Sequence, residues 1–288
     1  KTYLITTAMI NSNDKKVTDK FKDLFKNKKK WIVKPENASF RAGIKVVDSY
    51  NDMTEQIGQY INSNWIIQDY IDNPLTIEDR KIHLRIYVLL IKTKKYAQVL
   101  IFNKGYIFLS KKEYNCDSLD DESNLSGGDT KEQMRLYPHQ LIKNYGVDNY
   151  KKVLRQINVI VKETMKATID DLVCMNSKKK NYKCYKLLGY DILINEDFKL
   201  YLGEINSRTV NVKFPIKNMY ENLIEIIKTP GPLTNKFLNE NNLNYYSIIN
   251  ECNKKTKKIK GGDKENKSLD FIKKNFILII FIIILGFY

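Results

Sequence analysis

The chain has 288 residues, enough for one large α/β domain or two small lobes with a substantial core. Its 12 glycines and 6 prolines are too few for a collagen-like or linker-dominated chain, and no basic-then-apolar leader opens it, so secretion is not indicated. A formal charge of +16 suits an acidic peptide tail, nucleic acid or an anionic membrane surface, although lysine, asparagine and isoleucine are abundant throughout, as compositional drift alone produces.

In chain order, residues 3–10 read as a short strand and 14–30 as a polar helix or loop ending in the run Lys28–Lys30. WIVKP (31–35) reads as a strand, followed by a loop through Arg41 and Gly43 and by IKVV at 44–47. A helix is expected at 52–62, a strand at 65–71 and a turn at Asn73-Pro74. Residues 82–91 form an apolar run suited to a buried strand, and 96–102 with 105–110 suit a hairpin turning at Asn103-Lys104. Residues 115–130 are polar, with Gly127-Gly128, and read as a mobile loop. Leu154, Ile157, Val161 and Met165 recur at helical spacing within 149–169, and a second amphipathic helix is expected at 215–228, stopped by Pro230-Gly231-Pro232. Strands and helices mix without strict alternation, which argues for α+β lobes.

The C-terminal part differs in character. A lysine-rich linker at 253–274 leads to a tail, 275–288, whose stretch 276–288 carries no charge. Thirteen residues of helix reach about 20 Å, short of a roughly 30 Å hydrocarbon core, yet the run suits a C-terminal membrane anchor behind a basic linker. The expected location is therefore cytoplasmic, with the tail on the cytoplasmic face of a membrane. The cysteines (Cys116, Cys174, Cys184, Cys252) form no CxxC pair and the only histidines are His83 and His139, so neither a zinc site nor a hydrolase triad is expected. Reduced thiols are the expectation.

The segment LGYDILINEDFKLYLGEIN (188–206) carries the chemistry. It reads as two apolar strands around a turn at Glu196-Asp197. With a two-residue turn Asp191 lies opposite Leu202, and Asp191, Glu204 and Asn206 share one face. Three oxygen ligands on rigid strands suit Mg2+ completed by phosphates. An odd-numbered loop would send Asp191 to the other face.

Taken together, WIVKP, ASFRAGI (38–44), WIIQDYIDNPL (65–75), RKIHLRIYVLL (80–90), GYIFLSKKEY (105–114) and the 187–206 hairpin resemble, in that order, the tubulin–tyrosine ligase-like family of ATP-grasp enzymes. The resemblance runs from about residue 4 to 228 and places an ATP-grasp domain within 1–252. It implies two lobes with antiparallel sheets flanked by helices, sandwiching the nucleotide. It further implies ATP and Mg2+ as cofactors and a ligase joining a free amino acid to a protein carboxylate through an acyl phosphate. The partner would be an acidic protein substrate such as a tubulin tail, with nucleic acid not indicated and a monomer expected. Lys34 would neutralise phosphate, and the loop with Arg41 and Gly43 would close over it. Gln68, Asp69, Tyr70 and Ile71 would form the adenine hinge. Arg85 would face the reacting carboxylate or γ-phosphate, and Lys81 would contact nucleotide or acceptor. Asp191, Glu204 and Asn206 would hold Mg2+.

The chain departs from the family pattern at particular places. His83 stands where the family has aspartate, and Phe108 where it commonly has arginine. The family's HLTN segment appears as NLSG (124–127), Asp69 replaces a lysine, and one glycine replaces GxG before IKVV. No counterpart of the family's N-terminal lobe precedes the match in this chain. Two expectations follow: an active ligase with an altered substrate, or a nucleotide-binding pseudoenzyme serving as a membrane-tethered scaffold.

Overall fold

A computed structural model of the chain describes residues 1–12, 14–26, 30–36, 42–59, 64–127, 130–169, 183–207 and 218–252, with 250–252 by backbone alone. They fall into two units, 1–81 with 110–126, and 82–109 with 127–252. The expectations for Arg41, the 253–274 linker and the 275–288 tail lie outside the described residues. Among the described residues no helix is long and apolar enough to cross a membrane. Cys116 is a free, exposed thiol but Cys184 is disulfide-bonded, which corrects the expectation of reduced thiols throughout.

The first unit runs β1 (Thr2–Thr6), α1 (Thr7–Asn11), α2 (Lys15–Leu24), β2 (Trp31–Pro35), β3 (Lys45–Val47), α3 (Tyr50–Gly58), β4 (Asn64–Asp69) and β5 (Thr76–Ile77). The main strands form an antiparallel sheet in the order β1-β4-β2-β3. Alternation puts Ile5, Trp31, Val33, Trp65 and Ile67 on one face, where Phe21 of α2 and Met53 and Ile57 of α3 bury them. Each such fully buried side chain contributes about 1.5–3 kcal/mol. Both helices start at side-chain caps: Asp14 accepts from the Lys16 N–H at 2.8 Å, and Ser49 accepts from the Asp52 N–H at 3.1 Å. The opposite face of this sheet carries Thr2, Lys34 and Gln68.

The strand expected at 3–10 ends at Thr6 instead. The Thr6 hydroxyl accepts a hydrogen bond from the Met9 N–H (3.1 Å), an N-cap that turns the following apolar residues into α1. The 115–130 stretch also departs from the expected loop, because it holds α4 (Asp121–Asn124). Asn124 is fully buried there and its amide donates to the carbonyls of Ser118 and Asp120, both at 2.9 Å.

The second unit is built on β6 (Arg80–Thr93, whose first two residues belong to the first unit), β7 (Tyr96–Ser110) and β8 (Ser126–Gly127), whose Ser110 and Ser126 belong to the first unit as well, β9 (Met134–Tyr137), α5 (His139–Thr168), β10 (Lys183–Ile194), β11 (Leu200–Asn206), α6 (Met219–Lys228), α7 (Asn235–Glu240) and β12 (Tyr245–Cys252). The sheet order is β11-β10-β6-β7-β12, with β9 also on β7. The apolar run of β6 is buried on both faces, as a central strand requires. One face packs Tyr87, Leu89 and Ile91 under Met219 and Ile226 of α6 and Leu238 of α7. On the other face α5 lies across the sheet, and Thr164 and Tyr190 share a hydrogen bond of 2.9 Å.

One expectation is corrected here and another is extended. Residues 96–110 are one strand rather than a hairpin through Asn103-Lys104. Ile86 pairs with Gly105 and Val88 with Ile101, so the two surplus polar residues are absorbed in a wide bulge. The helix expected at 149–169 is present, but α5 holds two helical stretches broken at Gly146 (φ 79°, ψ 168°), and the first of them, beginning at His139, was not expected. The α+β class with antiparallel sheets flanked by helices is borne out.

Candidate functional site

Asp191, Glu204 and Asn206 do converge on one face, but by a different route from the one the sequence suggested. Asn195 donates its N–H to the Lys199 carbonyl (3.1 Å), closing a three-residue loop with Phe198 at φ 60°. The next pairs are Ile194 with Leu200 and Ile192 with Leu202. Continued regularly, that register would set Asp191 opposite Gly203 and leave Glu204 on the wrong face. A bulge between Asp191 and Ile192 in the register admits Gly203 as one extra residue, and Asp191 pairs directly with Glu204. A Cβ on Gly203 would lie 3.1 Å from the Asp191 carbonyl oxygen, a tight approach that favours glycine at this bulge. The odd loop and the odd bulge cancel.

Asn206 ties the trio together, its amide nitrogen donating to Asp191 Oδ2 at 3.0 Å and to Glu204 Oε1 at 2.8 Å. Arg85 sits directly across from Asp191 on β6. Its Nη2 donates to Asp191 Oδ2 at 2.7 Å and its Nε to Oδ1, a bidentate pair whose side chains are 21% and 13% exposed. Burial works against the Arg85 charge, but Asp191 outweighs it and Glu204 adds to the effect, so the guanidinium pKa is raised.

The two departures from the family pattern in this strand pair are neighbours. His83 pairs with Phe108 across β6 and β7, and their rings meet edge-on with centroids 5.0 Å apart. Arg85 also reaches over the Phe108 ring at 5.4 Å, a cation–π contact beside its pair with Asp191. His83 Nε2 lies 3.8 Å from Asp191 Oδ1. Gly105, beside this pair, has no room for a side chain: a Cβ would stand 2.3 Å from the Arg85 carbonyl oxygen.

In the first unit Lys34 and Gln68 meet on the sheet face opposite the helices, with Lys34 Nζ donating to Gln68 Oε1 at 3.2 Å. Asp69 ends β4, and its side chain pairs with the Lys1 amino group. Ile71 follows beyond the strand. Tyr70 is buried, and its hydroxyl donates to Asn124 Oδ1 at 2.8 Å. Lys81, 5% exposed, holds its ammonium 3.8 Å above the Tyr70 ring. Burial above all lowers the Lys81 pKa, to about 7, against the pull of Asp72 and with help from Lys30. Gly43 lies elsewhere in this unit, at φ 74°, and its carbonyl accepts from Gln56 at 3.0 Å.

Sequence reading missed Gly203, Gly105 and Asn124, which touch no reacting group but set the phase, the strand approach and the seat of Tyr70. Their advance signals were glycine inside two apolar strand patterns and, for Asn124, its place at the start of NLSG, the stretch that stands where the family has HLTN. Among the described residues no three His, Cys, Asp or Glu side chains gather to hold a metal. The set at the hairpin is instead two carboxylates and an amide. These are hard oxygen donors in the number Mg2+ takes from protein when phosphates supply the rest, and a half-turn of the Asn206 amide brings its oxygen inward. The residues fit that ion.

The family model described as "Tubulin-tyrosine ligase family" matches residues 2–227. The chain is similar to "Probable alpha-tubulin polyglutamylase Ttll1" of Tetrahymena thermophila, 29% identical over 232 residues that cover 67% of this chain and 54% of that protein. It is also similar to "Tubulin glycylase 3D" of the same organism (24% identical, 86% of this chain and 25% of that protein) and to "Tubulin glycylase 3B" of Drosophila melanogaster (24% identical, 62% and 25%). The chain thus spans about half, or about a quarter, of the length of these relatives. A match across both units, with the hairpin of Asp191, Glu204 and Asn206 inside it, shows that the chain belongs to the tubulin-tyrosine ligase family and has its ATP-grasp, α+β fold.

Proposed function

We propose that the chain is an ATP- and Mg2+-dependent ligase that joins an amino acid, glutamate or glycine in the first instance, to a side-chain carboxylate of an acidic, tubulin-like protein tail. The convergence of Asp191, Glu204 and Asn206 with Arg85 on one strand face carries this reading. Asp191, Glu204 and Asn206 would hold Mg2+, which when bound neutralises phosphate charge. Arg85, held by Asp191, is aimed along the same face and would stabilise charge on the acyl phosphate or the transferring phosphoryl group. Lys34 and Gln68 would lie along the nucleotide, with Asp69, Tyr70 and Ile71 forming the wall of the base site. Tyr70 would act through its fixed backbone, since its ring is buried. In the reaction the acceptor carboxylate oxygen attacks the γ-phosphorus and ADP leaves; the amine then attacks the acyl carbon and phosphate leaves. The protein's part is positioning and charge. The net charge of +16 supports an acidic acceptor. With His83 and Phe108 in place of a charged pair, the amino-acid end of the site would select differently from relatives that keep it.

The test incubates the chain with ATP, Mg2+, single amino acids and a glutamate-rich tubulin tail peptide, and reads peptide mass and ADP together. A mass gain of one residue with matching ADP supports the proposal. ADP without mass gain, or neither, for every amino acid counts against it.

A further inference from the structure

The outer face of α5 presents a row of cations of one sign. Beyond Gly146 the helix is regular, and Lys152, Arg155, Lys162 and Lys166 fall within about 40° of one line along it. All four are exposed, and Val159, 60% exposed, stands on the same line between Arg155 and Lys162. At the rise of a helix the row is about 21 Å long. The buried face of α5 packs on the side of the sheet away from Asp191, since Thr164 bonds Tyr190, the residue before Asp191 on β10. The row therefore points outward, behind the strands that carry Arg85 and the hairpin.

A merely solvated helix face mixes signs, with acids placed one turn from lysines. This face does the reverse. Lys152 and Arg155 are three apart, Lys162 and Lys166 four apart, and Lys151 stands four before Arg155, all like-charge pairs that weaken a helix. The acids of α5 are Asp148, which pairs with Lys151 at 3.6 Å, and half-buried Glu163 on the flank. None of the four row cations has an ion-pair partner among the described residues. Only Lys166, in the last turn, gains from the helix dipole. The row thus lowers local stability when bare, and an anionic partner reverses that. Its shape narrows the partner. Binding flat on an anionic membrane needs apolar side chains to sink in, and α5 has its apolar face on the sheet. Nucleic acid is met by aromatic side chains that stack on bases, and the row holds none. An extended acidic peptide fits: carboxylates on alternate residues, about 7 Å apart, meet cations about one turn apart, and a side chain between them meets Val159.

We propose that the outer face of α5 is a docking site for an extended acidic peptide segment of about six residues, held by Lys152, Arg155, Lys162 and Lys166. The segment bound there is not the one that reacts, because helix and sheet stand between the row and Asp191. Its role, which rests on the ligase proposed above, is to hold a second acidic stretch of the acceptor protein while the reacting carboxylate reaches the other face. The binding itself needs neither ATP nor metal.

The probe is a fluorescein-labelled polyglutamate peptide of about twelve residues, longer than the row. It is titrated with the full chain, without ATP or Mg2+, and followed by anisotropy. Saturable binding that weakens with added salt is expected. Lys152→Gln, Arg155→Gln, Lys162→Gln and Lys166→Gln together should weaken it about tenfold or more, as four exposed ion pairs do in sum, and the pair Arg155→Gln with Lys162→Gln about threefold. The same loss of charge on α2, at exposed Lys15, Lys16, Lys20 and Lys22, should weaken it less than about twofold. Circular dichroism melts should find the α5 variant no less stable than wild type, since it loses like-charge pairs. Absence of saturable binding overturns the proposal, and so does equal weakening by the α5 and α2 changes, which would reduce the effect to net charge. Tighter, α5-dependent binding of oligothymidylate or of phosphatidylserine vesicles than of the peptide also overturns it, in favour of nucleic acid or a membrane surface. Failure here leaves the ligase reading standing, and an inactive ligase leaves this binding in place.

Discussion

Replacing Arg85 with methionine removes the cation from Asp191 while keeping most of the side-chain volume. At the 2.7 Å separation of Arg85 Nη2 and Asp191 Oδ2, an effective dielectric near 20 gives a gross attraction of about 6 kcal/mol. Desolvating two side chains that are 21% and 13% exposed consumes several kcal/mol of that. The net coupling should therefore be about 2–3 kcal/mol, within the range found for close charge pairs. Arg85→Met alone should cost more, about 3–4 kcal/mol, because it strands the Asp191 carboxylate. A double-mutant cycle of Arg85→Met and Asp191→Asn, read by urea unfolding in EDTA so that no divalent ion substitutes for the arginine, isolates the coupling. The double variant should be more stable than Arg85→Met. A coupling under about 0.5 kcal/mol would refute the reasoning, since the pair would then behave as a solvated surface contact.

Three other outcomes follow from the same structure. Gly105→Ala should destabilise the second unit by about 3 kcal/mol or more by forcing a methyl against the Arg85 carbonyl, measured as a lowered urea midpoint. Tyr70→Phe should cost about 1–3 kcal/mol by stripping the buried Asn124 side chain of a donor, with proteolysis of 110–126 accelerated as the second readout. Lys81 binds its proton less tightly in the fold, with its pKa held near 7, than in the unfolded chain. Between about pH 7 and 10.4 the unfolded state therefore holds more protons, and stability should rise with pH. Lys81→Met should flatten that slope in thermal melts at pH 7 and pH 9.5, and an unchanged slope would contradict the burial argument.

How much of this was legible in the sequence depends on what each residue reports. Only the face shared by Glu204 and Asn206 was readable from period-two alternation, since the two-residue turn that would join Asp191 to them is one the chain does not make. The loop length and the Gly203 bulge were not, because a bulge leaves no trace in hydrophobic pattern when the extra residue is a glycine between apolar neighbours. The same blindness turned Asn103-Lys104 into an expected hairpin turn: polar pairs mark turns and wide bulges alike, and only the long partner β6 decides between them. Thr6 carries an N-cap signal that an apolar run either side concealed. Arg85 fell within an expected strand because that strand is a long central one. Its bond to Asp191 was out of reach, since it joins residues 106 apart in the chain. The pairing of His83 with Phe108 was equally hidden, and it is the pairing that makes two separate departures into one altered patch.

The central claim is that the hairpin holds Mg2+ for ATP-dependent ligation. Glu204 is exposed and its isosteric change to glutamine should leave stability within about 0.5 kcal/mol. The direct measurement is Mg2+-dependent ATP binding by calorimetry, wild type against Glu204→Gln. The account predicts saturable binding for wild type that weakens at least tenfold in the variant and on metal removal. Wild-type binding that is indifferent to both Mg2+ and Glu204, or no binding at all, would contradict it.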